Sequence, residues 1–96
     1  MIWECNEIRV MPDGHTAFEA AFAKAKPLLL QVPGCLSAEL LRRTGEPDRY
    51  QVRVCWGRLE DHVEVYPATA EAVEIRAMLA PLIAEAARGH YEAVLF

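Results

Sequence analysis

Pro33-Gly34-Cys35-Leu36, Leu40-Leu41-Arg42-Arg43, Gly45-Glu46-Pro47-Asp48 and Arg49-Tyr50-Gln51-Val52-Arg53-Val54-Cys55-Trp56 follow one another in one run that reaches His62, and this run decides the fold. Pro-Gly ends whatever precedes it. Residues 35–44 then read as a strand with Leu36, Ala38 and Leu40 on one face, and residues 45–48 as a tight turn. In the next strand Tyr50, Val52, Val54 and Trp56 face one way and Gln51, Arg53 and Cys55 the other, the clearest alternation in the chain. A short helix over 59–66 carries Leu59, His62 and Val63, and Pro67 stops it.

Upstream, residues 2–10 read as a strand of imperfect alternation, apolar on both faces, followed by the turn cluster 11–14. Thr16 and Glu19 have capping-box spacing. Phe18, Phe22, Ala25, Leu29 and Val32 then mark one face of a helix, which Pro27 should kink or loosen because it has no N–H to donate. Downstream, Thr69 can cap a helix over 70–86 whose stripe is Ile75, Leu79, Leu82 and Ala86, and the run from His90 to Phe96 is of β type. The order β-α-β-β-α-β is an α+β, ferredoxin-like arrangement: one domain over 1–96, with a four-stranded antiparallel sheet and helices on one side. The other side also carries apolar residues, which a second copy packed sheet to sheet would cover, so a homodimer is expected.

Composition narrows the function. At 96 residues there is room for one domain, yet 53% of the residues are hydrophobic, more than a small monomer needs to hide. The net charge of −4 comes without a basic stripe, which argues against nucleic acid. No run of apolar residues is long enough to span a membrane. The opening Met1-Ile2-Trp3-Glu4-Cys5 lacks a basic n-region, so a signal peptide is not expected. Cys5, Cys35 and Cys55 are odd in number and far apart, with no Cys-x-x-Cys pair; reduced thiols in a cytoplasmic protein are the expectation.

Candidates for chemistry are few. His15, His62 and His90 share no local metal-ligand spacing, and no metal site is expected. The glycines sit at element boundaries rather than in a phosphate loop, and Ser37, the only serine, lies mid-strand. What remains is Asn6, Trp56, His62, Tyr66, Arg76 and His90. Trp56 is either a core aromatic or the flat wall of a pocket. His62 is either an exposed or capping histidine or a general acid/base that works near neutral pH. Arg76 either snorkels at the surface or holds an anionic oxygen. Asn6 and His90 are either satisfied strand residues or substrate contacts.

Pro33-Gly34-Cys35, Asp48-Arg49-Tyr50, Trp56 with His62, and the late His90-Tyr91 come in an order and spacing that resembles the antibiotic-biosynthesis monooxygenase family, over nearly the whole chain. The resemblance implies a dimeric α/β barrel. In the family's quinone-forming members, which oxidise polyketide phenols with oxygen and no cofactor, a strand Trp, a hydroxyl side chain six residues on and an Arg twenty residues on line the pocket. Trp56, His62 and Arg76 stand at those spacings, with His62 in place of the hydroxyl and Val52 in place of an Asn. The haem-degrading members pair a first-strand Asn with a third-strand Trp. Asn6 and Trp56 match them, but the position of the haem-ligating His is Tyr66. The resemblance therefore implies cofactor-independent oxygenation of a small phenol or quinol with molecular oxygen. His62 would be the base, Trp56 the wall, and Asn6, Tyr66, Arg76 and His90 the substrate contacts. The alternatives are a non-catalytic small-molecule-binding barrel and, less favoured, a haem-binding relative.

Overall fold

A computed structural model describes residues 1–96. The elements are β1 (Ile2–Val10), α1 (His15–Leu30), β2 (Cys35–Arg42), β3 (Arg49–Trp56), a π-helical turn (Asp61–Val65) running into a 3-10 turn (Tyr66–Ala68), α2 (Ala70–Leu79), a 3-10 turn (Ala80–Leu82) and β4 (Ile83–Tyr91). The strands form one antiparallel sheet in the order β2-β3-β1-β4. This is the β-α-β-β-α-β, ferredoxin-like order that the sequence implies.

Register explains what each face of the sheet carries. Glu4 pairs with Val54 and His90, Asn6 with Val52 and Arg88, and Ile8 with Tyr50 and Ala86. Residues directly opposite each other share a face. The helix-covered face therefore holds Ile8, Tyr50, Val52, Val54, Trp56 and Ala38, which pack with Phe18, Phe22, Ala25 and Leu29 of α1 and Ile75 of α2 in one core. Trp56, Phe18, Tyr50 and Val10 are the largest side chains hidden completely. Trp3, Cys5, Gln51, Arg53 and Tyr91 surround a hollow on the opposite face, which no helix covers.

Four local expectations are corrected. First, Thr16 and Glu19 form no capping box: α1 begins at His15 behind Gly14, with no side-chain cap. Glu19 instead accepts from the Tyr50 hydroxyl at 2.6 Å and from Arg42 at 2.7 and 3.0 Å, and this long-range clamp outcompetes the local cap. α1 runs through Pro27, and its end tightens with i→i−3 bonds from Gln31 and Val32 to Leu28 and Leu29. Second, Leu36 leaves the inner face. The β2–β3 register shifts between Cys35 and Ser37, and Leu36 is exposed. Third, the helix expected over 59–66 is the π turn followed by the 3-10 turn. Fourth, the helix expected to reach residue 86 stops at Leu79. Pro81 lies in the 3-10 turn that follows, and residues 83–91 pair with β1 rather than waiting until His90 to become β. Thr69 does cap α2, accepting from the Ala72 amide at 3.1 Å.

Candidate functional site

The Pro33-Gly34 punctuation builds one corner of the site. Gly34 has φ +85°, a left-handed conformation, and its carbonyl accepts from the Gly57 amide at 2.8 Å. A side chain at Gly34 would collide with the Asp61 carboxylate, which packs into the space left free. Asp61 in turn accepts from the Arg58 amide at 3.0 Å and the Arg58 guanidinium at 3.2 Å, fixing the start of the π turn. That turn delivers the next residue, His62, under the sheet edge, where only 4% of its surface is exposed.

His62 stacks on Trp56, with ring centroids 5.2 Å apart and planes 15° from parallel. Tyr66 leans against both rings at 5.7 and 5.9 Å. Below them lies a buried acid that sequence reasoning did not single out, Glu4. Its Oε1 accepts from Trp56 Nε1 at 2.9 Å and sits 3.2 Å from His62 Nε2. Its Oε2 accepts from Asn6 Nδ2 at 2.8 Å, with Arg88 Nη1 at 3.8 Å. On its other side, His62 Nδ1 lies 2.8 Å from His90 Nε2. Burial lowers His62 below the ordinary histidine value. Glu4 pulls the other way, but Arg88 and His90 add to the lowering. The 3.2 Å contact with Glu4 Oε1 is a close charge–imidazole approach, the one neighbour that favours a proton on His62.

A cavity of about 510 Å³ opens beside this cluster, bordered by His62, Tyr66, Val73, Arg76, Arg88 and His90 among others. The structure thus gathers His62, Tyr66, Arg76 and His90 around one space. Two expected roles change. Trp56 is no cavity wall: its ring is fully buried behind His62 and anchors Glu4. Asn6 directs its amide to Glu4 rather than into the cavity. A larger hollow of about 670 Å³ lies on the uncovered sheet face, where Arg9 is paired to Glu85 and Arg49 to Glu46. It holds no comparable coupling of buried acid and imidazole.

The fit to haem is poor. Burial, and then Glu4, push the Tyr66 phenol up, which disfavours the tyrosinate that ferric iron would need at that position. His62 also has both ring nitrogens engaged.

Fold and site together define a small ferredoxin-like domain with a carboxylate and two imidazoles in line at the edge of a cavity. The sequence profile of the family described as Antibiotic biosynthesis monooxygenase matches residues 1–64, and the chain belongs to that family. A protein of Bordetella bronchiseptica that carries the family's name is similar in structure, with a TM-score of 0.92, 32% identity and coverage of 98% of this chain and 97% of its own. The chain is also similar to the uncharacterized protein YczJ of Bacillus subtilis (strain 168), at 29% identity over 79 residues, 82% of this chain and 83% of that one. SnoaB, a cofactor-independent oxygenase from Streptomyces nogalater, shares the fold at a TM-score of 0.86 and 19% identity, over 99% of this chain and 94% of its own.

Proposed function

We propose that this protein is a cofactor-independent monooxygenase that oxidises a small phenol or quinol with molecular oxygen. The observation that carries the reading is the cavity of about 510 Å³, which His62, His90, Arg76 and Arg88 border beside a buried carboxylate. Its size falls within the ordinary range of small-molecule sites, about 300–1,000 Å³. The chemistry needs a base, a group that tolerates developing negative charge, and protection from water. The imidazoles supply the first and the two guanidiniums the second. Stoichiometry requires no external reductant. Deprotonation gives an electron-rich phenolate, which passes an electron to oxygen. After recombination one oxygen atom enters the ring and the other leaves as water, so the phenol becomes a quinone by its own oxidation.

A homodimer joined through the uncovered sheet face completes this reading, because Trp3, Cys5 and Tyr91 border a hollow there that no element of the chain fills. Sedimentation should give a dimer at micromolar concentration; a stable monomer would refute that part. The enzyme reading is tested by oxygen uptake with simple quinols and naphthols. His62→Ala should abolish uptake while circular dichroism stays unchanged. The guanidiniums at the rim would also suit a non-catalytic carrier of the same ligands. Saturable binding of quinols without oxygen consumption would decide for the carrier.

A further inference from the structure

Resting on the oxygenase reading, we infer that the base is a three-residue proton relay, Glu4–His62–His90, in which His90 takes the proton from the substrate, His62 passes it inward and Glu4 is a positioning residue. The direction of the hydrogen bonds follows from the donors. Trp56 Nε1 can only donate, so Glu4 Oε1 accepts from it at 2.9 Å. Glu4 also receives Asn6 on Oε2, and its Oε1 lies 3.2 Å from His62 Nε2, where the carboxylate charge favours a proton on that nitrogen. A neutral His62 with its proton on Nε2 has a lone pair on Nδ1, and the 2.8 Å contact there obliges His90 Nε2 to donate. The polarity therefore runs from His90 through His62 to Glu4.

The far end of the chain, His90 Nδ1, makes no hydrogen bond within the protein, and His90 is exposed at the cavity. His62 is buried, and both of its nitrogens are engaged. The group able to meet a substrate hydroxyl is His90. The phenolic O–H breaks as N–H forms at His90 Nδ1. His90 Nε2–H then breaks as N–H forms at His62 Nδ1; burial, Arg88 and His90 disfavour the charge this places on His62, and the Glu4 carboxylate, 3.2 Å away, offsets part of that cost. One proton has moved inward and the phenolate stays in the cavity, facing Arg76 and Arg88. The groups that face His62 are Glu4 from β1, Trp56 from β3, Tyr66 from the 3-10 turn, and Arg88 and His90 from β4; Arg76 of α2 borders the same cavity. Two histidines and a carboxylate also suggest a metal triad, but His62 uses opposite ring nitrogens toward its two neighbours. The three groups form a line and do not converge on one ion.

The test has two arms. In the first, nitrogen NMR of histidine-labelled protein reads the His62 tautomer without any turnover. The Nε2–H form is expected in the wild type, with a mixture of tautomers in Glu4→Gln; an Nδ1–H form in the wild type overturns the relay. In the second, p-nitrophenol is titrated into the protein and the phenolate absorbance of the bound fraction is read against pH. Binding should lower its apparent ionisation pH in the wild type. His90→Gln, a change at an exposed position, should raise it again by about one unit, a tenfold loss of phenolate at fixed pH. Full ionisation in His90→Gln would make His62 the direct base and overturn the assignment. No binding of p-nitrophenol would count against the oxygenase reading itself, and the tautomer would still decide the relay.

Discussion

Gly34→Ala isolates the contact that places the π turn, and Gly45→Ala supplies its control. Both glycines have left-handed backbones, φ +85° and +83°, so alanine at either costs about 1–2 kcal/mol in backbone strain. The offset from a stiffer unfolded chain, about 0.4–1 kcal/mol, is the same at both sites and cancels in the comparison. The surroundings differ. At Gly45 a new methyl would meet nothing within 4 Å, whereas at Gly34 it would lie 2.6 Å from Asp61 Cβ and overlap the carboxylate. Asp61 would have to withdraw from the Arg58 amide, and losing a part-buried hydrogen bond to a charged group costs about 1–3 kcal/mol. Gly34→Ala should therefore be less stable than Gly45→Ala by about 1–3 kcal/mol. In a domain of this size each kcal/mol lowers the melting temperature by about 4–8 °C. Urea and thermal unfolding at one fixed protein concentration, followed by tryptophan fluorescence, measure the difference. Equal midpoints for the two variants would refute the claim that Asp61 is wedged against Gly34.

Three further outcomes follow from the charges. The folded-state value of His62 lies below that of the unfolded chain, so the unfolded state binds more protons as pH falls through the unfolded value of about 6.5; stability should drop across that window, and a His62→Gln variant that keeps the same acid slope there would contradict it. Glu19 is held below the usual carboxylate range by the Tyr50 hydroxyl and by Arg42, so its contribution is present above the unfolded value and is lost as pH falls through the folded one; Glu19→Gln should flatten the acid limb of stability, as urea midpoints against pH will report. Burial, then Glu4 and Cys55, push the Cys35 thiol up to about 11, leaving about a thousandth of it as thiolate at pH 8; mass spectrometry should find Cys35 alkylated by iodoacetamide far more slowly than free cysteine, and an equal rate would overturn the assignment.

How much of this was legible in the sequence depends on how local each signal is. β3 was readable because alternation from Tyr50 to Trp56 is a property of seven adjacent residues and needs no partner to be seen. Trp56, His62, Tyr66 and Arg76 are linked by the spacings of the family resemblance, which run along one strand end and the elements after it. The failures came where a distant partner overrode a local preference. Thr16 and Glu19 have the right spacing for a cap, but a clamp to strands 23 and 31 residues away claims Glu19. Leu79, Leu82 and Ala86 fit a helical stripe, and the alanines around residue 86 favour a helix, yet pairing with β1 makes that segment β4.

The missed core of the site follows from that last error. Glu4 and Asn6 occupy the same strand parity as Ile8 and Val10, so two polar residues stand on an otherwise apolar face whose far end is buried. A polar pair in that position must find partners or pay a desolvation penalty, which makes the parity itself a signal for a buried polar cluster. Its partners come from three directions: Trp56 from β3, His62 from the π turn, and Arg88 with His90 from β4. Strand β4 supplies the last two only when it starts early enough for Arg88 to face Asn6 and His90 to face Glu4. A helix carried to residue 86 and a strand begun at His90 leave Arg88 in a connecting loop, with no register to bring it opposite β1. The boundary set by Pro81 therefore decides whether the acid at Glu4 reads as an irregularity in a strand or as the inner end of a proton path.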